Sequence, residues 1–167
     1  MRASGICRSS PVSANTRLTW YRPIPDDDTV ADRWYVTARV EAGQVFAADR
    51  VGVPDPLLFR AGGDESVRGY AYRTLGPIVN GVVTSGRLTA TGSIEIARPI
   101  WAKRPQFLWA AFIDAGQAAN RWSDLRPALG YGAGLRWRSP VGPLRVDVAY
   151  GQKVRKFRLH LSVGVAF

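Results

Sequence analysis

An arginine within a glycine-rich stretch is the first feature of the sequence that could carry chemistry. Residues 59–77 read FRAGGDESVRGYAYRTLGP, and Arg68 lies in the middle of this stretch between a valine and a glycine. Glycine-rich loops at the start of a helix bind phosphate groups through their backbone amides. This stretch lacks the Gly-Lys-Ser/Thr ending of a phosphate loop, its glycine spacing does not fit a dinucleotide site, and no helical pattern follows it. We therefore expect the glycines to shape the path of the backbone around Arg68.

Side chains that could bind a metal or act as a nucleophile are few. The single cysteine, Cys7, excludes an intramolecular disulfide and a cysteine-based zinc cluster, and the lone His160 argues against a multi-histidine site. The acidic run at residues 26–28 lacks the ligand spacing and the final glutamate of a calcium loop, so we interpret it as a solvated hairpin tip. We predict no metal and no cofactor.

Length and charge narrow the classes of protein that are possible. The chain has 167 residues, which suits one domain or part of one, and its net charge of +10 suits an anionic partner. The N-terminus lacks the apolar stretch of a secretory signal, so the protein is cytosolic or its true start is missing. No segment approaches the roughly 20 apolar residues of a membrane-spanning helix, so a membrane role would require strands.

Alternation of apolar and polar residues with a period of two is the strongest structural signal. Residues 157–167, for example, place Phe157 and Leu159 on one face and Arg158 and His160 on the other. The same alternation predicts seven strands in all, joined by segments rich in turn-forming residues, which indicates antiparallel neighbours. The predicted strands are residues 16–24, 33–45, 87–100, 106–116, 129–139, 142–151 and 157–167.

The polar faces of these strands carry charges. Glu95 and Asp114 lie on them by alternation alone, as do Arg136 and Asp147. Within 129–139 the polar face also contains glycines that leave a trough, at positions 130, 132 and 134. A dry protein core would accept such charges only if every one were paired, whereas a polar barrel interior accommodates them more easily.

A soluble sheet packed on a core and a membrane barrel both fit this pattern. The charged inner face favours the barrel, and so do aromatic residues at the strand ends, where outer-membrane barrels have their aromatic girdles. These residues are Trp20, Trp34, Trp101, Trp109, Trp137, Tyr150, Phe157 and Phe167. We predict an all-β fold: an antiparallel transmembrane barrel portion with a long loop inside it.

The loop and several strands resemble one family. FRAGGDESVRGYAYRTLGP is similar to the lumenal loop of the outer-membrane assembly superfamily that includes BamA and TamA, also called the bacterial surface antigen family, whose loop tip reads Val-Arg-Gly-Phe/Tyr. GSIEIARPI, FIDAGQ and GYGAGLRWRSPVGPLRVDVAY occur in the order and spacing of that family. The resemblance covers residues 30–167 and is closest to the TamA branch.

The resemblance implies roles for individual residues. In that family the arginine of the loop tip contacts acidic residues on the inner barrel wall, which implies a latch between Arg68 and both Glu95 and Asp114. An adjacent arginine lowers a carboxyl pKa, which suits a structural pair better than a general acid, so we predict that the protein is not an enzyme. The backbone of the loop would be shaped by Gly62, Gly63, Gly69 and Tyr70, and we expect the glycine trough to give the loop room.

Domain boundaries follow from the same comparison. We expect residues 1–15 to be disordered or non-native and residues 16–167 to form the C-terminal part of the barrel, with the lumenal loop at 59–77. Family members have POTRA domains and about sixteen strands, so seven strands imply a fragment. The terminal strand, 157–167, resembles the insertion signal of bacterial outer-membrane proteins, carried here by Leu161, Val163, Val165 and Phe167.

The function implied by the resemblance is assembly or translocation of proteins in the bacterial outer membrane. Its partners would be nascent β-barrel or autotransporter substrates, a TamB-like inner-membrane partner, and membrane lipids and lipopolysaccharide contacted by basic residues near strand ends. A BamA-like or two-partner-secretion protein, a passive channel and a soluble β-sandwich binding protein are the alternatives. Nucleic acid is not expected, because no recognition fold is present.

Overall fold

A computed structural model describes residues 11–24, 33–47, 52–140 and 142–164. Within these ranges it contains nine β-strands, two short 3-10 helices (Asp55–Leu57 and Trp122–Asp124) and no α-helix. In the described part of the chain, no helix has the length and apolar character required to cross a membrane. The strands are β1 (Val12–Ile24), β2 (Trp34–Phe46), β3 (Ile78–Val79), β4 (Val82–Val83), β5 (Leu88–Trp101), β6 (Arg104–Ala119), β7 (Ala128–Ser139), β8 (Gly142–Gly151) and β9 (Lys156–Val163).

Seven of the strands form one antiparallel sheet in the order β1-β2-β5-β6-β7-β8-β9. The prediction of an antiparallel all-β fold with seven long strands is confirmed. The first strand begins at Val12, four positions earlier than the predicted boundary at residue 16. Among the described residues no pairing joins β1 to β9, so the sheet is open. The predicted hairpin tip at residues 26–28 lies outside the described residues.

The two faces of the sheet differ as the alternation predicts. On the outer face, large apolar side chains are 49% to 70% exposed along six strands, namely Leu18, Ile94, Ile113, Leu135, Val148 and Leu161. On the inner face, Ala110, Phe112, Asp114 and Ala149 are at most 3% exposed. An apolar surface of this extent requires an apolar environment or a partner.

Strand register places the inner-face residues in rows that cross the sheet. One such row is Arg39, Ser93, Asp114, Gly130, Gly151 and Lys156. The second row is Thr37, Glu95, Phe112, Gly132, Ala149 and Arg158, and the third is Tyr35, Ala97, Ala110, Gly134, Asp147 and His160. Charged residues from five strands therefore lie within three adjacent rows.

The inner face is concave near the short turns. The guanidinium of Arg138, on β7, lies 4.6 Å from the ring centre of Tyr35, on β2, although β5 and β6 separate these two strands. Tyr35 also stacks on Tyr21 and packs against a buried cluster of Ala97, Leu108 and Ala110. Curvature is what brings side chains on non-adjacent strands into contact.

Neighbouring alanines on β6 provide a test of the two faces. Ala110 is fully buried on the inner face, so Ala110→Leu should overpack the cluster around Tyr35 and lower the free energy of unfolding by about 1–3 kcal/mol. Ala111 faces outward, and Ala111→Leu should change it by less than about 0.5 kcal/mol. Urea unfolding followed by tryptophan fluorescence would measure both; equal costs would contradict the assignment of faces.

Candidate functional site: a buried arginine that joins the long loop to the sheet

The chain between β2 and β5 returns to the inner face of the sheet. Isolated bridges pair Phe59 with Gly86 and Ala61 with Leu75, which closes the loop at its base. A small apolar core holds the loop against β7; it consists of Ala61, Val67, Tyr70, Leu75 and Ala128, each at most 7% exposed. The loop therefore packs on the sheet as a structured element, and Arg68 points from its tip into the sheet.

Arg68 binds acidic residues on three strands. Its Nε and Nη2 atoms donate to the two carboxylate oxygens of Asp114 at 2.7 and 2.9 Å, and its backbone N–H donates to the same carboxylate at 3.0 Å. Its Nη1 atom donates to Glu95 at 2.8 Å and to Asp147 at 3.1 Å, while Nη2 also reaches Ser93 at 3.2 Å. A paired guanidinium–carboxylate geometry of this kind is the strong form of a charged hydrogen bond.

A second arginine completes the group. Arg136, on β7, bonds Glu95 through Nε (3.1 Å) and Nη2 (2.7 Å), and its Nη1 and Nη2 atoms bond Asp147. Arg68, Arg136, Glu95, Asp114 and Asp147 together form what we call the Arg68 network, which contains two cations and three anions. No buried side-chain nitrogen or oxygen in the described part of the chain is left without a hydrogen bond.

The surroundings of the network keep Arg68 charged. Arg39 lies across from Ser93 and interacts electrostatically with Asp114, which offsets the excess negative charge. Burial lowers the pKa of the Arg68 guanidinium, but its hydrogen bonds to Asp114 and Glu95 outweigh this effect and hold the pKa above its ordinary value. The guanidinium also lies 3.4 Å above the ring centre of Phe112, in a cation–π contact.

The glycine trough on β7 makes room for three different parts of this site. A methyl group at Gly130 would collide with the backbone carbonyl of Arg68, one at Gly132 would lie 2.9 Å from the Phe112 ring, and one at Gly134 would collide with the Asp147 carboxylate. Of the three glycines, Gly130 is the one that faces the loop itself. Gly132 leaves space for the Phe112 ring, and Gly134 leaves space for the Asp147 carboxylate; Arg68 contacts both of these groups.

The residues beside Arg68 fasten the tip to further strands. The Gly69 N–H donates to Nε2 of His160 on β9 at 3.0 Å, and the Tyr70 hydroxyl donates to the Leu129 carbonyl on β7 at 2.9 Å. The backbone N–H of Lys153 donates to the Tyr70 hydroxyl at 2.9 Å. Gly69 has a φ of +90°, and a methyl group there would lie 2.7 Å from the backbone of β8, so only glycine fits this crossing.

The structure places most of the site residues that the sequence predicts. Arg68, Glu95 and Asp114 are in direct contact. Gly62 and Gly63 adopt positive φ in the loop, at +106° and +107°. Leu161 and Val163 face outward on β9, each 64% exposed. Val165 and Phe167 lie outside the described residues.

Sequence reasoning missed several members of the site. Asp147, Arg136 and Ser93 lay on the predicted polar face, but alternation assigns a face and not a neighbour. Asp147 lies opposite Gly134, where the missing side chain leaves space for a carboxylate, but this pairing follows from the register and not from alternation. His160 was interpreted only as a lumen-facing residue, and nothing in the sequence indicated its bond to Gly69.

An open, concave antiparallel sheet that carries a structured loop on its inner face is the architecture of a β-barrel segment. Residues 8–167 match the Omp85 superfamily domain, and the chain belongs to this superfamily. Outer envelope protein 80, chloroplastic, of Arabidopsis thaliana is 34% identical over 115 residues, which make up 64% of this chain and 14% of that protein.

A solved structure shows the same fold. The crystal structure of BamA from Haemophilus ducreyi lacking POTRA domains 1-3 is similar with a TM-score of 0.69 and 20% identity, over 92% of this chain and 34% of that chain. The seven strands thus correspond to part of the BamA barrel. The chain spans about a third of that structure and a smaller share of the curated relative.

Removing the central cation should destabilise the sheet. Arg68→Ala leaves Glu95 and Asp147 with Arg136 and leaves the fully buried Asp114 without a direct cationic partner, so the free energy of unfolding should fall by about 3–5 kcal/mol. Arg145→Ala is the matched control, because Arg145 lies exposed on the same face. Urea unfolding would measure both variants, and trypsin cleavage after Arg73 would report release of the loop. A variant as stable as the control would contradict the account of the network.

Gly130 offers a test of the loop contact that leaves every charge in place. Gly130→Ala should expel the loop tip, because its methyl group would overlap the Arg68 carbonyl. Gly92→Ala is the control, since the nearest atom to a methyl group there is 3.9 Å away. We expect limited proteolysis to cut the loop at least about tenfold faster in the first variant, which corresponds to a loss of about 1.4 kcal/mol. Equal cleavage rates would show that the loop does not depend on Gly130.

Proposed function

We propose that this chain is the C-terminal barrel portion of an outer-membrane protein that inserts or translocates other β-barrel proteins. The observation that carries the proposal is the Arg68 network, which fixes a long loop inside a concave sheet whose outer face is apolar. Membership of the Omp85 superfamily supports it. The lipid-facing surface would be the exposed aliphatic side chains of the outer face.

Aromatic pairs near the short turns support placement in a membrane. Trp34 contacts Trp109 edge to face at 5.5 Å, and Phe107 stacks on Trp137 at 5.8 Å. The guanidinium of Arg98 lies 5.3 Å from the Trp34 ring. Aromatic and basic groups in this arrangement suit the level of lipid headgroups. At the opposite end, Lys153 bonds the Arg126 carbonyl at 3.3 Å, which joins two basic turns that would face lipopolysaccharide.

The mechanism rests on the open edges of the sheet. β1 and β9 each pair on one side within the described residues, so their other edges present backbone N–H and C=O groups. In a complete barrel these groups would meet other strands at a seam, and an incoming strand could add there by backbone hydrogen bonding. The Arg68 network would hold the loop in place while the seam opens. This role is non-catalytic: the carboxylates are paired with arginines and serve a structural purpose.

Within the superfamily we propose a TamA-like protein that assists autotransporter secretion with a TamB-like inner-membrane partner. The Val-Arg-Gly-Tyr tip preceded by Ala-Gly-Gly-Asp supports this assignment. Deletion of the gene should lower surface display of an autotransporter at least about tenfold and leave porin levels unchanged. Loss of both would support a BamA-like role instead, and loss of neither would reject the proposed function.

The network itself should be required for insertion. Arg68→Lys keeps a positive charge but cannot bond Asp114, Glu95 and Asp147 at once, because a lysine lacks the planar fork. In the intact protein we expect a lower rate of substrate insertion into lipid vesicles, while Arg145→Lys retains the wild-type rate. Heat-modifiable gel mobility would confirm that both variants are folded. Insertion at the wild-type rate by a folded Arg68→Lys variant, with its loop sensitive to protease, would contradict a role for the seated loop.

A further inference from the structure

The last strand is linked to the loop tip through one histidine. β9 pairs with β8, and His160 lies at the middle of β9, opposite Asp147 on the inner face. Its Nε2 atom accepts the hydrogen bond from the Gly69 N–H at 3.0 Å, across 91 positions of sequence. The donor is the residue directly after Arg68. A single peptide unit thus connects the Arg68 network to β9.

The loop tip contacts every strand from β5 to β9. Arg68 reaches β5, β6 and β8, Tyr70 bonds β7, and Gly69 bonds β9. The contacts of Arg68 are charged and multiple, so they persist when any single bond is weakened. The contact of Gly69 is one hydrogen bond to a neutral ring nitrogen. It is the contact whose state can change without removing Arg68 from its acids.

The hydrogen bond defines the protonation state of His160. Because Nε2 accepts, it carries no proton, and the proton of the neutral ring is on Nδ1. An imidazolium carries protons on both nitrogens and would direct an N–H group at the Gly69 N–H. Charged groups on each element packed against the ring interact with it electrostatically: Asp64 and Arg68 from the loop, Asp147 from β8 and Arg158 from β9 itself.

We propose that His160 is a positioning residue that couples β9 to the seated loop tip, and that protonation of its ring uncouples them. With the bond present, the tip and β9 hold each other in register with β8. With the bond absent, Arg68 stays on its acids and β9 is held by β8 alone. The consequence for the seam rests on the proposed function, whereas the coupling itself rests on the geometry.

Hydrogen exchange measured by mass spectrometry tests the coupling directly. The intact protein in phospholipid vesicles is compared at pH 8 and pH 5, a window that extends well below the ordinary pKa of histidine and in which ordinary carboxylates, with pKa values of about 4, stay largely ionised. Exchange is expressed relative to the intrinsic rate at each pH. For peptides covering 62–72 and 156–164, we expect protection in the wild type to fall about fivefold at pH 5, the change that losing one ordinary hydrogen bond produces.

Three variants distinguish the effect of the hydrogen-bond acceptor at residue 160 from the effect of side-chain packing. His160→Gln keeps a neutral acceptor near the position of Nε2, so protection should stay high at both pH values. His160→Leu removes the acceptor, so protection should be low at both. Ser162→Ala changes the next inner-face residue of β9 and should behave as the wild type.

Several results would overturn the proposal. These are a wild-type protein whose protection does not depend on pH, a His160→Gln variant that responds to pH as the wild type does, and a His160→Leu variant as protected as the wild type at pH 8. If His160→Leu does not fold, the comparison of wild type with His160→Gln decides the question. The readout requires no insertion activity. The expected exchange pattern in a protein that inserts no substrate would therefore reject the proposed function and leave the coupling in place.

Discussion

An excess of buried carboxylates on the inner face is the constraint on which the rest of the structure depends. Glu95, Asp114 and Asp147 lie on three strands of one sheet, and the sheet supplies Arg136 as the guanidinium that bonds two of them. Asp114 is fully buried, and a buried charge without a partner costs several kcal/mol. The partner of Asp114 comes from the loop: Arg68 is 46 positions away in sequence and makes three bonds to it, counting its backbone N–H. The loop is therefore part of the charge balance of the sheet.

The glycines where the loop meets the sheet follow from this requirement. A guanidinium can reach three strands only if the loop backbone lies almost in contact with the wall, which is why Gly69 crosses Gly151 and why Gly130 lies under the Arg68 carbonyl. Gly132 and Gly134 leave space for the Phe112 ring and the Asp147 carboxylate. The glycines of β7 have no side chains to pack, and this lets the loop and its contacting groups approach the strand closely. The loop in turn covers the inner face of β7 at Gly130.

Much of the fold could be predicted from the sequence, because the period of two is a local property. Alternation alone places Glu95 and Asp114 on the inner face, and the strand bounds differ from the predicted ones by a few residues. The network was only partly predictable. Arg136 meets Asp147 because the register of β7 and β8 makes them diagonal neighbours, and it meets Glu95 because curvature brings β5 and β7 together across β6. Neither register nor curvature can be read from alternation. The bond from Gly69 to His160 joins residues 91 positions apart and leaves no local pattern.

A double-mutant cycle on Arg68 and Asp114 tests the central claim most directly. The free energy of unfolding of the wild type, Arg68→Ala, Asp114→Ala and the double variant gives the coupling between the two side chains without the contribution of their other partners. A buried pair joined by several charged bonds should show a coupling of about 2–3 kcal/mol, the upper end of the range for residues in contact. Costs that add to within about 0.5 kcal/mol would mean that the two residues act independently. That result would contradict the account in which the loop completes the charge balance of the sheet.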